Sequence, residues 1–422
     1  MKLVKRNIYM KIRLIQEEDY DMYRMYCRLY QFVFRMIAPF MPWRKPKLLE
    51  GEGCLRRLPE YIKKKECTPI LIVTDQGITA IGLINELLEG LEAEEIQFVV
   101  YDRTVPNPTI ANIEEALEMY HSNHCRGIIA FGGGSPIDCA KGVAARIARP
   151  EKTIPQMKGE LRVRKRIPPL FVVPTTAGTG SEATVAAVIS NNETHEKYAI
   201  NDMALIPHVA VLDPLLTIKL PPHITSATGM DALTHAVEAY IGRSNTEETK
   251  QCSKDAVTLI FDNLYEAYVN GSNVIARTNM QKASYLAGVA FTRAYVGYVH
   301  AIAHTLGGFY NIPHGIANAV ILPYVLEYYG DSVHKPLVEL ADLIGISDSA
   351  DDNEQKATKF IEAIKQLNED MDIPNKISGI SESDIPLMVE RALREANPFY
   401  PVPKILFKQD MMHLYRIIQG ES

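Results

Sequence analysis

The spacing of apolar residues divides the chain into three stretches. Residues 1 to about 47 carry a helical pattern that ends in a cluster of large apolar side chains and the only tryptophan, Trp43. From residue 48 to 220, short apolar runs alternate with helical stretches, and after Pro221 and Pro222 only helical periodicity remains. The pattern predicts an N-terminal helical arm (1–47), an α/β domain (48–220) and an all-α domain (221–422).

The α/β stretch is predicted to form a wound parallel sheet, because strands that alternate with helices pair in parallel. The predicted strands are Ile70–Thr74, Phe98–Tyr101, Ile128–Phe131, Phe171–Val173 and Val209–Leu212. The predicted helices are Ile110–His121 and Pro136–Ile147 in this stretch, and Asp231–Tyr240, Asp255–Tyr268 and Tyr298–Phe309 in the C-terminal one. Sheets of this kind bind ligands beyond the carboxyl ends of their strands, so we expect the binding loops there.

The arm combines aromatic, basic and apolar residues. A helix of this composition either packs its apolar side on the protein or on a second subunit, or lies on a membrane surface. We favour the packed arrangement over the membrane-bound one.

Composition and charge narrow the class of protein. At 422 residues the chain is long enough for two or three domains with a cleft between them. A charged fraction of 23% and a formal net charge of −6 are typical of a globular protein and disfavour nucleic-acid binding, so the expected partner is a small molecule. The six cysteines form no CxxC pair, and charged residues run through the N-terminal stretch. We therefore predict a reducing, cytoplasmic location without a signal peptide.

Two glycine-rich loops follow predicted strands. Gly132–Asp138 opens a predicted helix, and backbone N–H groups at a helix start attract phosphate. Pro174–Glu182 again combines glycines with hydroxyls that hydrogen-bond phosphate or ribose. The first loop lacks the GxGxxG spacing of dinucleotide-binding proteins, so a purely structural turn is the alternative. Two such loops at one sheet edge nevertheless favour a dinucleotide site.

Asp75 closes the first predicted strand of the α/β stretch. A carboxylate at this position accepts hydrogen bonds from both adenosine ribose hydroxyls and repels a 2′-phosphate, which predicts NAD as coenzyme. The alternative is that Asp75 only caps the helix that follows.

Histidines cluster in the C-terminal stretch. Asp231 and His235 share one helix face at an i, i+4 spacing, and His300 and His304 repeat this spacing. His314 lies on a predicted turn nearby in sequence. Imidazoles and a carboxylate that converge on a helical domain favour a metal site, and a helix interface with hydrogen-bonded histidines is the alternative.

These motifs together resemble the iron-containing alcohol dehydrogenase family. The matching segments are Gly132–Asp138 with Lys141, Pro174–Glu182, Asp213–Thr217, Gly229–Tyr240 and Gly288–Pro323, and the resemblance covers roughly residues 48–400. It implies an N-terminal NAD-binding α/β domain, a C-terminal all-α metal domain and an active site in the cleft between them. The first 47 residues exceed the family's usual start, so the resemblance says little about the arm.

The resemblance also implies a role for individual residues. The metal ligands would be Asp231, His235, His300 and His314, with His304 left free near the substrate. The pyrophosphate would lie on Gly133, Gly134 and Ser135 beside Asp138. Further coenzyme contacts would come from Asp75, Asn107, Thr175, Thr176, Thr179, Lys197 and Leu216.

The expected activity is NAD(H)-linked interconversion of a primary alcohol or diol and its aldehyde, with Fe²⁺ as the cation and Zn²⁺ as an alternative. His304 is the candidate proton relay. Alternatives on the same fold are a polyol dehydrogenase, a maleylacetate-type reductase and a dehydroquinate-synthase-like lyase. An alternative of another class is a non-catalytic NAD-binding sensor. We expect a homo-oligomer, specifically a dimer.

Overall fold

The computed structural model describes residues 17–191 and 196–420, so residues 1–16 of the predicted arm lie outside the described part. Its strands are β1 (Lys47–Glu50), β2 (Ile70–Val73), β3 (Phe98–Tyr101), β4 (Gly127–Gly132), β5 (Gly159–Glu160), β6 (Leu170–Pro174), β7 (Ala186–Asn191), β8 (Glu196–Asn201) and β9 (Val209–Leu212). The helices before residue 220 are α1 (Glu17–Ile37), α2 (Leu58–Lys63), α3 (Gln76–Ala80), α4 (Asn85–Ala93), α5 (Ile110–Ser122), α6 (Gly134–Ala148) and α7 (Ile154–Met157). The later helices are α8 (Pro222–Ile241), α9 (Glu247–Val269), α10 (Val274–Ala294), α11 (Tyr298–Tyr310), α12 (His314–Tyr329), α13 (Asp331–Leu343), α14 (Asn353–Asp370), α15 (Ile385–Ala396) and α16 (Lys408–Ile418).

Six strands form one parallel sheet in the order β1-β9-β6-β4-β2-β3. The interior strands β2, β4, β6 and β9 are buried at every position. Helices cover both faces of such a sheet, which explains why these strands are continuous apolar runs without polar alternation. The predicted wound parallel sheet is therefore confirmed.

Two parts of the sheet structure were not predicted from the apolar pattern. Strand β1 is a short edge strand that pairs with β9 and has only one buried residue, Leu49. Strands β5, β8 and β7 form a separate small sheet, in which buried and partly exposed residues alternate. Edge and half-buried strands need few apolar residues, so their sequences carry a weak apolar signal.

The parallel arrangement brings the carboxyl ends of the strands to one edge. Thr175, which follows β6, donates its backbone N–H to the carbonyl oxygen of Gly132 at the end of β4 (3.0 Å). The buried Lys141 on α6 donates to the carbonyl oxygens of Ser181 and Thr184 (2.7 and 2.9 Å) and so fixes the end of the second glycine-rich loop. Both glycine-rich loops therefore lie side by side at this edge.

The C-terminal region of the described chain is helical, as predicted. Its central helix α8 is buried on nearly all sides. Helix α10 contacts the second glycine-rich loop backbone to backbone, because a Cβ at Gly180 would lie 2.7 Å from the Cα of Gly288. The helical region thus faces the ligand edge of the sheet. The domain boundaries at 47 and 220 stay predictions.

The arm helix α1 packs on the C-terminal region with one side only. Cys27 is fully buried there, and the ring of Tyr20 lies 4.4 Å from that of Phe407. A row of apolar side chains on its other side remains exposed: Met22, Met25, Leu29, Phe32, Val33, Met36, Ile37 and, just beyond the helix, Phe40. The expected packing on this chain is therefore only partial, and covering by a second subunit stays a prediction.

Candidate metal and coenzyme site

Three predicted metal ligands lie together where α8, α11 and α12 meet. Asp231, His300 and His314 each offer a ligand atom, and these atoms lie within 4.8 Å of one another. Oδ1 of Asp231 lies 4.0 Å from Nε2 of His300 and 3.6 Å from Nε2 of His314. Asp231 and His300 are buried, and His314 is partly exposed. The arrangement joins residues separated by more than 80 positions along the chain.

The side-chain amide of Asn318 contacts all three candidate ligands. Its nitrogen lies 2.7 Å from Oδ1 of Asp231, 3.2 Å from Nε2 of His300 and 3.3 Å from Nε2 of His314. An amide has two hydrogens and cannot satisfy three acceptors at once. Lone pairs of one carboxylate and two imidazoles that converge on one point fit a divalent cation.

Glu238 orients His300. The Nδ1 atom of His300 donates to Oε2 of Glu238 (2.6 Å), and the same carboxylate accepts the backbone N–H groups of Gly297 and Val299 (both 2.9 Å). Because Nδ1 carries the proton, Nε2 of His300 is left as a lone-pair donor. A carboxylate behind a ligating histidine is a common second layer of metal sites.

His235, the fourth predicted ligand, lies farther from the other three. It is absent from the group of ligand atoms within 4.8 Å among the described residues, although its ring centroid lies 4.4 Å from that of His300. The ring stacks on Phe291, and its buried Nδ1 has no hydrogen-bond partner among the described residues. Burial lowers the pKa of His235 and His314 well below the usual value, so both imidazoles are neutral, as metal ligation requires.

His304 lies beside the cluster but outside it. Its ring stacks on that of His314 with a centroid distance of 5.2 Å, and its Nδ1 lies 2.7 Å from Oε1 of Glu395. The hydroxyl of Tyr400 donates to the same carboxylate oxygen (2.7 Å). Glu395 therefore fixes the orientation of the His304 ring through Nδ1.

A cavity of about 240 Å³ joins this cluster to the sheet edge. From the metal side it is lined by Asp231, His235, His300, His304 and His314. From the sheet side it is lined by six of the predicted coenzyme residues: Asn107, Gly134, Ser135, Asp138, Thr179 and Lys197. The remaining predicted coenzyme residues, Asp75, Gly133, Thr175, Thr176 and Leu216, do not line it. We call this space the central cavity.

The glycine-rich loops meet at the sheet side of the central cavity. Gly133 caps α6, and a Cβ at Gly134 would lie 2.7 Å from Cγ2 of Thr179. A Cβ at Gly133 would lie 3.4 Å from the side chain of Thr176. A side chain at Gly134 would therefore clash with Thr179, whereas one at Gly133 would only just contact Thr176.

A hydrogen-bonded chain crosses the same wall. Lys197 donates to Oδ1 of Asn107 (2.8 Å), and the backbone N–H of Asn107 donates to the hydroxyl of Ser135 (3.2 Å). Asp138 accepts from the hydroxyl of Ser181 (2.8 Å) and from the backbone N–H of Val188 (3.1 Å). Burial raises the pKa of Asp138 and lowers that of Lys197. Hydrogen bonds thus link Lys197, Asn107 and Ser135 to one another, and Ser181 and Val188 hold Asp138 separately.

Asp75 and Leu216 have structural contacts of their own. Oδ1 of Asp75 accepts the backbone N–H of Ile78 (3.1 Å) and thus caps α3, as the alternative interpretation required. A Cβ at Gly132 would lie 3.5 Å from the second oxygen, Oδ2, which places it beside the first glycine-rich loop. The side chain of Leu216 is buried in the core beneath the sheet. The cap uses only one of the two carboxylate oxygens of Asp75.

Replacing Asn318 with alanine is expected to lower the affinity for the cation on the order of tenfold, because Asp231 loses the group that orients it. Asn368→Ala is the matched control, since this buried amide on α14 donates to the carbonyl oxygen of Ala319 (2.8 Å), away from the cluster. Titration against a competing chelator measures both affinities. Equal losses in the two variants would show that Asn318 contributes only to packing.

A wound parallel sheet with glycine-rich loops, facing a carboxylate and imidazole cluster across one cavity, defines a class: metal-dependent dehydrogenases that use a dinucleotide. Comparison with known families gives the same class. Residues 45–214 match "Iron-containing alcohol dehydrogenase", and residues 225–418 match "Fe-containing alcohol dehydrogenase family, C-terminal". The chain therefore belongs to the iron-containing alcohol dehydrogenase family, and it is an oxidoreductase.

Individual relatives agree with this assignment. Alcohol dehydrogenase 4 of Saccharomyces cerevisiae is 41% identical over 350 residues, which are 82% of this chain and 90% of the relative. 1,3-Propanediol dehydrogenase of Klebsiella pneumoniae is 42% identical over 333 residues, 78% and 86% of the two chains. NAD-dependent methanol dehydrogenase of Bacillus methanolicus is 32% identical over 352 residues, 83% and 92% of the two chains.

A solved structure agrees as well. The crystal structure of a 1,3-propanediol oxidoreductase superimposes with a TM-score of 0.85 at 37% identity, covering 89% of this chain and 98% of the other. Across residues 17–191 and 196–420, no helix combines the length and apolar character needed to cross a bilayer.

Proposed function

We propose that the protein interconverts a primary alcohol or diol and its aldehyde with NAD(H) as the hydride carrier. The central cavity carries this proposal, because it brings the metal cluster and the glycine-rich loops to one space. The names of the relatives, which include alcohol, propanediol and methanol dehydrogenases, support the same chemistry. In the oxidative direction the alcohol carbon gives a hydride to the nicotinamide, and the hydroxyl gives its proton to solvent.

We propose Asp231, His235, His300 and His314 as the metal ligands. When bound, a divalent cation supplies a Lewis acid that favours loss of the alcohol proton and polarises the aldehyde carbonyl. Fe²⁺ and Zn²⁺ both accept imidazole and carboxylate ligands. We propose Fe²⁺ because the family that the chain matches is iron-containing. Asn318 and Glu238 keep the lone pairs of Asp231 and His300 aimed at one point.

His304 is proposed to move the proton. Its stacking on His314 puts it next to the metal cluster, and Glu395 stabilises the ring when it takes up a proton. A metal ligand cannot play this part, because its lone pair is already used. His304 thus links the reacting hydroxyl to solvent.

The coenzyme is proposed to bind along the sheet edge. Gly133, Gly134, Ser135 and Asp138 would lie at the pyrophosphate, where α6 presents free N–H groups. The other proposed contacts are Asp75, Asn107, Thr175, Thr176, Thr179, Lys197 and Leu216. The nicotinamide end would then enter the central cavity.

An assay of NADH oxidation with short aldehydes and of NAD reduction with short alcohols and diols tests this function. We expect turnover in both directions that requires added Fe²⁺ or Zn²⁺ after chelation. A protein that binds NADH but turns over no aldehyde with either metal would contradict the proposal and favour a coenzyme sensor. Turnover confined to polyols or maleylacetate would favour the other reactions of this fold.

We further propose a cytoplasmic homodimer. All six cysteines are buried and unpaired, which is compatible with a reducing compartment. The exposed apolar row of α1 offers a surface for a second copy, because contiguous exposed apolar patches mark interaction sites. A monomeric mass in solution would contradict the dimer.

A further inference from the structure

Part of the wall of the central cavity is aromatic. Tyr295, Val296 and Tyr400 line it together with His304 and His314. Tyr295 and Val296 come from the loop between α10 and α11, and Tyr400 comes from the loop between α15 and α16. Loops of this kind are more mobile than helices unless other elements hold them.

Two side chains of the arm helix α1 hold the second of these loops. Gln31, which is buried, donates to the carbonyl oxygens of Tyr400 (2.8 Å) and Pro398 (3.2 Å). Arg28 donates to the carbonyl oxygens of Val402 and Pro403 (both 2.7 Å). Four carbonyl groups of the 398–403 loop are therefore fixed by residues of the arm.

The arm holds the first loop through aromatic contacts. The ring of Phe34 lies 5.6 Å from that of Tyr295 in an edge-to-face arrangement and 6.0 Å from that of Phe399. Phe399 in turn contacts Tyr295 at 5.5 Å. Tyr295 has a φ of 65°, a left-handed conformation that a tyrosine keeps only when its surroundings impose it. Phe34 and Phe399 supply those surroundings.

The arm lies outside the part of the chain that the family shares, since the family match begins at residue 45. We propose that α1 is a specificity element, in which Gln31 and Phe34 are positioning residues that hold Tyr400 and Tyr295 in the cavity wall. The wall then limits the chain length of the alcohol and favours short-chain primary alcohols. This inference rests on the proposed alcohol dehydrogenase activity.

The test compares two residues of the same type on the same helix. Phe34 contacts Tyr295, whereas Phe32 belongs to the exposed row of α1 and is 60% exposed. The holoenzyme and the variants Phe34→Ala, Gln31→Ala and Phe32→Ala are assayed for NAD reduction with primary alcohols of two to six carbons. Metal content and the KM for NAD are measured in the same samples.

Phe34→Ala and Gln31→Ala are expected to raise kcat/KM for the six-carbon alcohol relative to the two-carbon one by about tenfold, the size of effect that changes in an apolar pocket produce. Metal content and the KM for NAD should stay unchanged in these two variants. Phe32→Ala, which lies in the surface proposed for a second copy, should keep the wild-type ratio of kcat/KM for the two alcohols. If Phe34→Ala does not fold, Phe34→Leu replaces it, and the same shift in preference is expected.

An unchanged ratio in folded Gln31→Ala and Phe34 variants would overturn the inference and leave α1 as a scaffold. An equal shift in Phe32→Ala would overturn it too, because the effect would then not depend on the contact with Tyr295. A wild-type holoenzyme that oxidises neither these alcohols nor short diols would instead refute the proposed function. The two failures are therefore distinguishable.

Discussion

Replacing His300 with alanine is expected to abolish both cation binding and turnover. His300 is buried, its Nε2 lies 4.0 Å from Oδ1 of Asp231, and Glu238 holds its other nitrogen. Loss of the ligand removes electrophilic stabilisation worth several kcal/mol. At about 1.4 kcal/mol per tenfold change, kcat/KM should fall by roughly 10³-fold or more. Elemental analysis and steady-state kinetics measure the two effects.

His304→Ala is the matched control for this variant. His304 lies one helical turn from His300 on α11, but it stacks beside the cluster and bonds to Glu395. We expect normal cation content and a fall in kcat of roughly 10²-fold, the usual contribution of general acid–base catalysis. If both variants lose the cation equally, the division between ligand and proton relay is wrong.

Replacing Asp75 with serine is expected to relax the preference for NAD over NADP by about 10²-fold. In the proposed coenzyme position the negative charge of the partly buried Asp75 would oppose the 2′-phosphate of NADP, and such repulsion costs a few kcal/mol. Serine caps a helix about as well as aspartate, so the hydrogen bond to the backbone N–H of Ile78 is preserved. The ratio of kcat/KM for the two coenzymes measures the effect.

Asp75→Ala separates the cap from the charge. It removes both, so it should change coenzyme preference as the serine variant does and also lower the free energy of unfolding by about 1 kcal/mol. If serine leaves the coenzyme ratio unchanged and only alanine lowers stability, Asp75 is a helix cap without a role at the ribose.

The sequence predicts those strands that form unbroken apolar runs. Val209–Leu212 is buried at every position and Phe98–Tyr101 is a half-buried edge strand, yet both have the predicted bounds because each is an unbroken apolar run of four residues. Strand β1 was missed, since an edge strand with one buried residue carries no such run. In the arm, by contrast, apolar residues do not indicate burial, because the apolar row of α1 is exposed on this chain.

Helical spacing indicates candidate ligands where these residues share a helix. Spacing alone paired Asp231 with His235, and Glu238 stands three residues further along the same helix face, so it could have been included. Asn318 stands four residues after His314 on α12, so the same i, i+4 spacing places it on the helix face of a candidate ligand. Glu395 could not have been found, because it meets His304 from 91 positions away.

The most direct test of the account is a titration of metal-free protein with Fe²⁺ under anaerobic conditions, with NAD reduction by a short primary alcohol as the readout. The cluster of Asp231, His300 and His314 predicts that activity is absent at the start, rises linearly with added metal and reaches a plateau at one equivalent per chain. Zn²⁺ should reach the same stoichiometry. Full activity in the metal-free protein would contradict the account.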